Sequence, residues 1–158
     1  MSATIVPENN LHYPVLLKEV LSIISPQNGG TFIDCTFGQG GYSRKILQFP
    51  KTKVIAFDRD QNSKLIADGL KKKFQNRFQF YKLKFSQLDT VLKKNVDTII
   101  FDLGLSSIQL NNLERGFSFN SKEKLDMSMG LSSFSAQEAI NNLSESHLKL
   151  IIKILGEE

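Results

Sequence analysis

Four short runs rich in β-branched and aromatic residues alternate with segments of helical spacing, and this alternation constrains the fold more than any other feature of the chain. The runs are Thr31 to Phe37 (TFIDCTF), Lys53 to Asp58 (KVIAFD), Arg77 to Leu83 and Asp97 to Leu103 (DTIIFDL). The second is nearly all apolar, as expected of a strand buried on both faces. Between them, Tyr42 to Phe49 reads as a helix stopped by Pro50. A second helix runs from a cap at Asp60 to about Phe74, and a short one lies near Ser86 to Lys93. An amphipathic helix over Val15 to Ile24 precedes the first run and is broken by Ser25-Pro26 and Asn28-Gly29-Gly30. Strand–helix alternation with crossovers of this length predicts an α/β fold, a Rossmann-like parallel sheet with helices on its faces.

After Gly104 the pattern changes. Leu105 to Ser133 is rich in Ser, Asn and Gly and lacks periodicity. Loops of this length are usually functional or disordered. Ser135-Ala136-Gln137-Glu138 has the form of a capping box, and Ser144 can cap a last helix over Glu145 to Leu155. Four strands make a small sheet, since doubly wound nucleotide-binding sheets pair two βαβαβ halves. The chain therefore reads as the front part of a longer protein rather than as a small domain completed by its last helices, with the sheet over 1–104 and the beginning of a further element over 105–158.

The 158 residues suit one domain, and 41% hydrophobic with 23% charged residues is a globular mix. No window is apolar enough for a membrane span, and Met1 to Asn10 lacks the form of a secretory signal. One cysteine, Cys35, and two distant histidines, His12 and His147, argue against an internal disulfide and against a metal site. A reducing cytoplasm is the expected compartment. The net charge of +4 is compatible with a polyanionic partner and equally with solubility alone.

Candidate chemistry sits at the ends of the runs. The first leads into Gly38-Gln39-Gly40-Gly41-Tyr42, where glycines let a backbone approach a ligand and the next helix presents free N–H groups. A tight turn alone also satisfies this pattern. Asp58 follows the glycine loop by ~20 residues, where nucleotide-binding sheets grip ribose hydroxyls. Helix capping is the other role open to Asp58 and the preferred one for Asp60. The loop is neither a P-loop nor G-x-G-x-x-G, so a nucleoside without a pyrophosphate fits best, and S-adenosylmethionine is the candidate. Asp102 ends the fourth run, where ligands of open α/β sheets sit. Phe85, past the third run, fits either an adenine face or the core. Lys71-Lys72-Lys73, with Lys82, Lys84, Lys93 and Lys94, reads chiefly as solvated surface and secondarily as a phosphate-facing patch. Ser106-Ser107 lacks the G-x-S-x-G context of a hydrolase.

Taken in order, several segments resemble the bacterial 16S ribosomal RNA (cytosine-N4)-methyltransferase family. They are His12-Tyr13-Pro14-Val15-Leu16-Leu17, Asp34-x-Thr36-x-Gly38-x-Gly40-Gly41, Asp58-Arg59-Asp60, Phe85-Ser86 and Asp102-Leu103-Gly104-x-Ser106-Ser107-x-Gln109. Glu114-Arg115-Gly116-Phe117-Ser118-Phe119 and Leu125-Asp126-Met127-x-Met129 complete the set. The resemblance implies a class I methyltransferase sheet, present in part, with a helical substrate-recognition domain inserted after the fourth strand and beginning near residue 105. It implies S-adenosylmethionine as cofactor, contacted by Gly40, Gly41, Tyr42, Asp58, Phe85, Asp102 and Gln109. It implies 16S rRNA in the small ribosomal subunit as partner, with no DNA and no membrane. Tyr42 stands where members often carry His, Ile108 where Pro is common, and Ser128 where Arg is usual. Members run to roughly twice this length, and Gly156-Glu157-Glu158 resembles an internal motif of the family. The acceptor for the N4 hydrogens stays open between Asp102 and the carbonyls of Leu103 and Gly104. A methyltransferase of another amine, or a non-catalytic nucleoside-binding fragment, is the alternative.

Overall fold

The structure, a computed structural model, describes residues 13–93, 95–130 and 134–156. His12, Lys94 and the final Glu157-Glu158 lie outside the described residues. The chain divides into two compact units between Ser106 and Ser107.

In the first unit, α1 (Leu17–Ile24) leads to β1 (Gly30–Asp34), α2 (Gly41–Ile46), β2 (Thr52–Phe57), α3 (Asn62–Phe74), β3 (Phe78–Tyr81), α4 (Leu88–Val91) and β4 (Thr98–Ile100). Among the described residues, the four strands form one parallel sheet in the order β3-β2-β1-β4. This is the Rossmann-like α/β arrangement the alternation predicts. Strand periodicity sends neighbouring side chains to opposite faces. Phe32, Val54, Ala56, Phe78 and Ile100 pack on one face against Leu17, Ile46, Leu47, Ala67 and Leu70 from α1, α2 and α3. Ile33, Cys35 and Phe57 pack on the other, with Leu88 and Val91 of α4. The sheet is thus covered on both sides, which explains why KVIAF carries so few polar residues. Arg77 closes the end of α2 by donating from Nη2 to the Leu47 carbonyl (3.1 Å) and from Nη1 to the Phe49 carbonyl (2.9 Å).

Three strands are shorter than their runs suggest: β3 covers only Phe78–Tyr81 of Arg77 to Leu83, and the early ends of β1 and β4 have local causes. β1 stops at Asp34 because the Asp34 carboxylate accepts the Thr36 N–H (3.3 Å) and turns the chain. The Phe37 N–H then crosses to the Phe57 carbonyl (3.0 Å). Among the described residues β4 pairs with β1 alone, through Phe32↔Thr98 to Asp34↔Ile100, so its ladder ends where β1 ends. The helix expected near Ser86 to Lys93 is a 3₁₀ turn, Phe85–Gln87, followed by the single turn of α4. Asp60 does accept the Asn62 N–H (3.0 Å), although the residue before α3 is Gln61.

The second unit holds α5 (Ser107–Asn111), a 3₁₀ turn at Leu113–Arg115, α6 (Ala136–Asn142) and α7 (Glu145–Leu155). Ser135 and Glu138 form a reciprocal capping box: Ser135 Oγ accepts the Glu138 N–H (3.1 Å) while the Glu138 carboxylate accepts the Ser135 N–H (2.7 Å). The ERGFSF segment and LDMSM are joined through Arg115. Its carbonyl accepts the Met127 N–H (2.9 Å), and its guanidinium donates to the Ser128 carbonyl (2.7 Å) while lying 5.3 Å from the Phe117 ring centre.

Candidate functional site

Parallel pairing puts the carboxyl ends of β1, β2 and β4 at one edge of the sheet, and the predicted residues of the first unit gather there. Hydrogen bonds between the strand tips build this edge. Beyond β1, the Cys35 N–H donates to the Ile100 carbonyl (2.9 Å). Thr36 Oγ1 accepts the N–H of Asp102 (2.7 Å), which ties the segment after β4 to the turn after β1. Asp58 N–H donates to the Tyr81 carbonyl (3.2 Å), which does the same for β2 and β3.

The glycine loop runs from Gly38 to Gly41. Gly40 has φ +74°, and a Cβ there would sit 2.7 Å from the Phe37 ring. A Cβ on Gly41 would collide with the Pro14 ring. Both positions therefore require glycine for the chain's own packing, independently of any ligand. The N–H groups of Gly41 and Tyr42 open α2 and so have no acceptor within the helix. The Tyr42 side chain is buried, and its hydroxyl donates to the Val15 carbonyl. Tyr42 therefore presents its backbone to the loop, while its ring serves the core. Burial, followed by the nearby Asp102 and Asp34 charges, pushes its phenol above the ordinary value.

Asp58 is tied into the loop. Its Oδ2 accepts the Gly38 N–H (2.7 Å) and Ser63 Oγ–H (2.9 Å), and its Oδ1 accepts the Asp60 N–H (2.8 Å). Three of the acceptor positions of Asp58 are thus taken by the chain itself. Asp102 is exposed just past the tip of β4, its backbone held by Thr36. Phe85 is 42% exposed and meets Phe101, 48% exposed, edge to face with ring centres 5.4 Å apart. Of the two roles open to Phe85, core packing does not hold. Gln109 belongs to the second unit, where it is buried in α5.

Three residues that matter here are not among the expected site residues. Thr36, Ser43 and Ser63 each bond a residue at a strand tip, and small hydroxyl residues following an acidic strand end are the available signal. Ser43 Oγ donates to Asp34 Oδ2 at 2.6 Å. Asp34 itself is fully buried, and its carboxyl is raised to about 6, mainly by desolvation, with the Ser43 and Thr36 bonds opposing. Burial likewise raises the Cys35 thiol to about 11, with the Asp34 charge adding to the effect. The Lys71-Lys72-Lys73 run is exposed at the end of α3, as a solvated helix face would be, and Lys82 Nζ donates to Gln61 Oε1 (2.9 Å). Among the described residues, no group of three or more His, Cys, Asp or Glu could hold a metal ion, and no helix is long and apolar enough to cross a membrane.

Comparison with known proteins bears directly on this edge. The profile of the MraW methylase family matches residues 9–158. A protein of Ehrlichia ruminantium (strain Welgevonden) named ribosomal RNA small subunit methyltransferase H is 44% identical over 93% of this chain and 51% of its own length. Proteins of the same name from Orientia tsutsugamushi (strain Ikeda) and Bartonella tribocorum are 44% and 45% identical, over 95% and 93% of this chain and 49% and 44% of theirs. The chain thus spans about half the length of these relatives. With the match running from before α1 to the end of the sequence, through the glycine loop and every strand tip, the chain belongs to the MraW methylase family.

Proposed function

We propose that this chain is the cofactor-binding part of an S-adenosylmethionine-dependent methyltransferase that acts on N4 of a cytidine in 16S rRNA of the small ribosomal subunit. One observation carries the reading: in a chain of this family, the glycine loop, Asp58 and Asp102 stand together at the carboxyl edge of a parallel sheet. In this reading residues 1–104 bind the cofactor, and 105–158 begin a helical substrate-recognition insertion. The partner is ribosomal RNA rather than DNA, and the compartment is the cytoplasm.

The residues present fit that cofactor. The Gly41 and Tyr42 N–H groups, without acceptors in α2, suit its carboxylate, and Gly40 shapes the turn that presents them. Asp58 suits the ribose through the acceptor position its three protein bonds leave open. The exposed rings of Phe85 and Phe101 offer apolar surface to adenine. Gln109 is retained as a cofactor residue on the family resemblance alone.

When bound, S-adenosylmethionine supplies an electrophilic methyl group on a positively charged sulfur. The chain's residues contribute orientation, which in favourable cases is worth on the order of 7–11 kcal/mol. The amine of cytosine is a poor nucleophile because its lone pair is delocalised into the ring. An acceptor that bonds an N4 hydrogen draws the nitrogen towards tetrahedral geometry and receives the proton released after transfer. That acceptor stays open between Asp102, which could also take the proton but which the family resemblance places on the cofactor, and the carbonyls of Leu103 and Gly104, which can only accept the hydrogen bond. The base has to be unstacked to reach such an edge.

Calorimetry with S-adenosylhomocysteine tests the cofactor half of the proposal. Folded chain that takes up none refutes it. Transfer of labelled methyl groups to unmodified small subunits, by the chain extended to the length of its relatives, tests the substrate. Labelling of DNA or small amines instead would favour the alternative substrate class.

A further inference from the structure

Asp58 is a shared acceptor. Its Oδ2 receives the Gly38 N–H and the Ser63 hydroxyl, and its Oδ1 receives the Asp60 N–H, at 2.7, 2.9 and 2.8 Å. An ionised carboxylate offers about four acceptor positions. Three are filled by the chain itself. The three donors come from different places: Gly38 from the glycine loop, Asp60 from the turn after β2, and Ser63 from the first turn of α3. Ser63 is only 2% exposed, and its single hydroxyl hydrogen is directed to Asp58.

We propose that Ser63 is a positioning residue for the ribose. Together with Gly38 it claims Oδ2 and fixes the rotation of the Asp58 carboxylate, which leaves one acceptor position, on Oδ1, for a single ribose hydroxyl. This rests on the reading that Asp58 grips the cofactor's ribose, and it makes that grip one-handed. The terminal torsion of an aspartate is intrinsically broad, so a carboxylate that must meet a ligand in one orientation needs such anchors. The same bond links the two jobs of Asp58: any change in its rotation moves both the loop anchor at Gly38 and the oxygen offered to the sugar.

The experiment is calorimetric titration of the chain with S-adenosylhomocysteine and with its 2′-deoxy and 3′-deoxy analogues. For the unaltered chain, deleting one hydroxyl costs about tenfold in affinity and deleting the other less than about threefold. Ser63→Ala weakens S-adenosylhomocysteine binding by roughly 5–20-fold, and Ser63→Thr, which keeps the hydroxyl, recovers most of the loss. In an Asp58→Ala background, Ser63→Ala adds less than about twofold, because its effect passes through Asp58. Amide exchange at Gly38 quickens in Ser63→Ala while that at Phe32 does not.

Unaltered affinity in Ser63→Ala overturns the proposal. So does an equal loss on top of Asp58→Ala, which would assign Ser63 to the fold alone. Equal costs for the two deoxy analogues also overturn it, and that comparison needs no variant if Ser63→Ala fails to fold. No uptake by the unaltered chain removes the cofactor reading along with this one, an outcome distinct from the others.

Discussion

Replacing Asp34 by asparagine should flatten part of the pH dependence of stability. Asp34 is 1% exposed at the end of β1, and burial is the largest influence on its carboxyl, raising it from 3.8 to about 6. Its native form therefore holds a proton over a range where the unfolded chain has released it. Stability from this group is greatest below the unfolded value and falls as pH rises through the interval from 3.8 to about 6, after which the loss is constant. The whole of that difference corresponds to about 3 kcal/mol. By linkage, about 1 kcal/mol of this falls between pH 5 and 7. The side-chain amide of the Asp34→Asn variant cannot ionise, but its oxygen can still accept the Ser43 hydroxyl. Urea unfolding of both proteins at about pH 4, 5, 6 and 7.5 spans the interval and gives the difference in unfolding free energy at each point. A constant offset from the amide cancels; the prediction concerns the change in that difference, about 2–3 kcal/mol in favour of Asp34→Asn from pH 4 to 7.5. Parallel curves, or a difference that moves the other way, would refute the argument that the Ser43 and Thr36 bonds fail to offset desolvation.

Three other outcomes are expected. Asp58→Ala should weaken S-adenosylhomocysteine by at least about tenfold in calorimetry, because it removes the proposed ribose acceptor and leaves the Gly38 N–H and Ser63 hydroxyl without theirs. Arg115→Ala should destabilise the second unit by about 1–3 kcal/mol in thermal or urea melts, since it deletes the bond to the Ser128 carbonyl and the stacking on Phe117. Cys35, buried and with its thiol raised to about 11, should resist iodoacetamide at about pH 8 until the chain is unfolded, and native labelling at the unfolded rate would contradict its burial.

Much of the sheet is legible in the sequence because its strands are covered on two sides. An apolar run such as KVIAF has few other uses in a chain this polar. The ends of the strands are less legible: Cys35, Thr36 and Phe37 continue the apolar run, and β1 finishes because the Asp34 side chain turns the chain and Phe37 crosses to β2 next door. The candidate site divides in the same way. Glycines and acids at strand tips announce themselves by type and spacing. What the acids bond to does not, because Gly38 and Asp58 are brought together only when β1 and β2 pair in register. Tyr42 illustrates a further limit: its place after the glycines is visible, but the turn of its ring towards Val15 depends on where α1 lands. The second unit, without periodicity from Leu105 to Ser133, offers no hint of α5 or of the Arg115 bonds.

The attachment of Tyr42 to Val15, and the fit of Gly41 beneath Pro14, have a practical side. The lead-in to α1 acts as a wedge behind the glycine loop. Trimming the protein past Pro14, or fusing a bulky tag there, should loosen the glycine loop from behind and, on the function proposed above, weaken binding of S-adenosylhomocysteine. Affinity measured on such shortened versions would report the missing wedge as much as the residues of the loop.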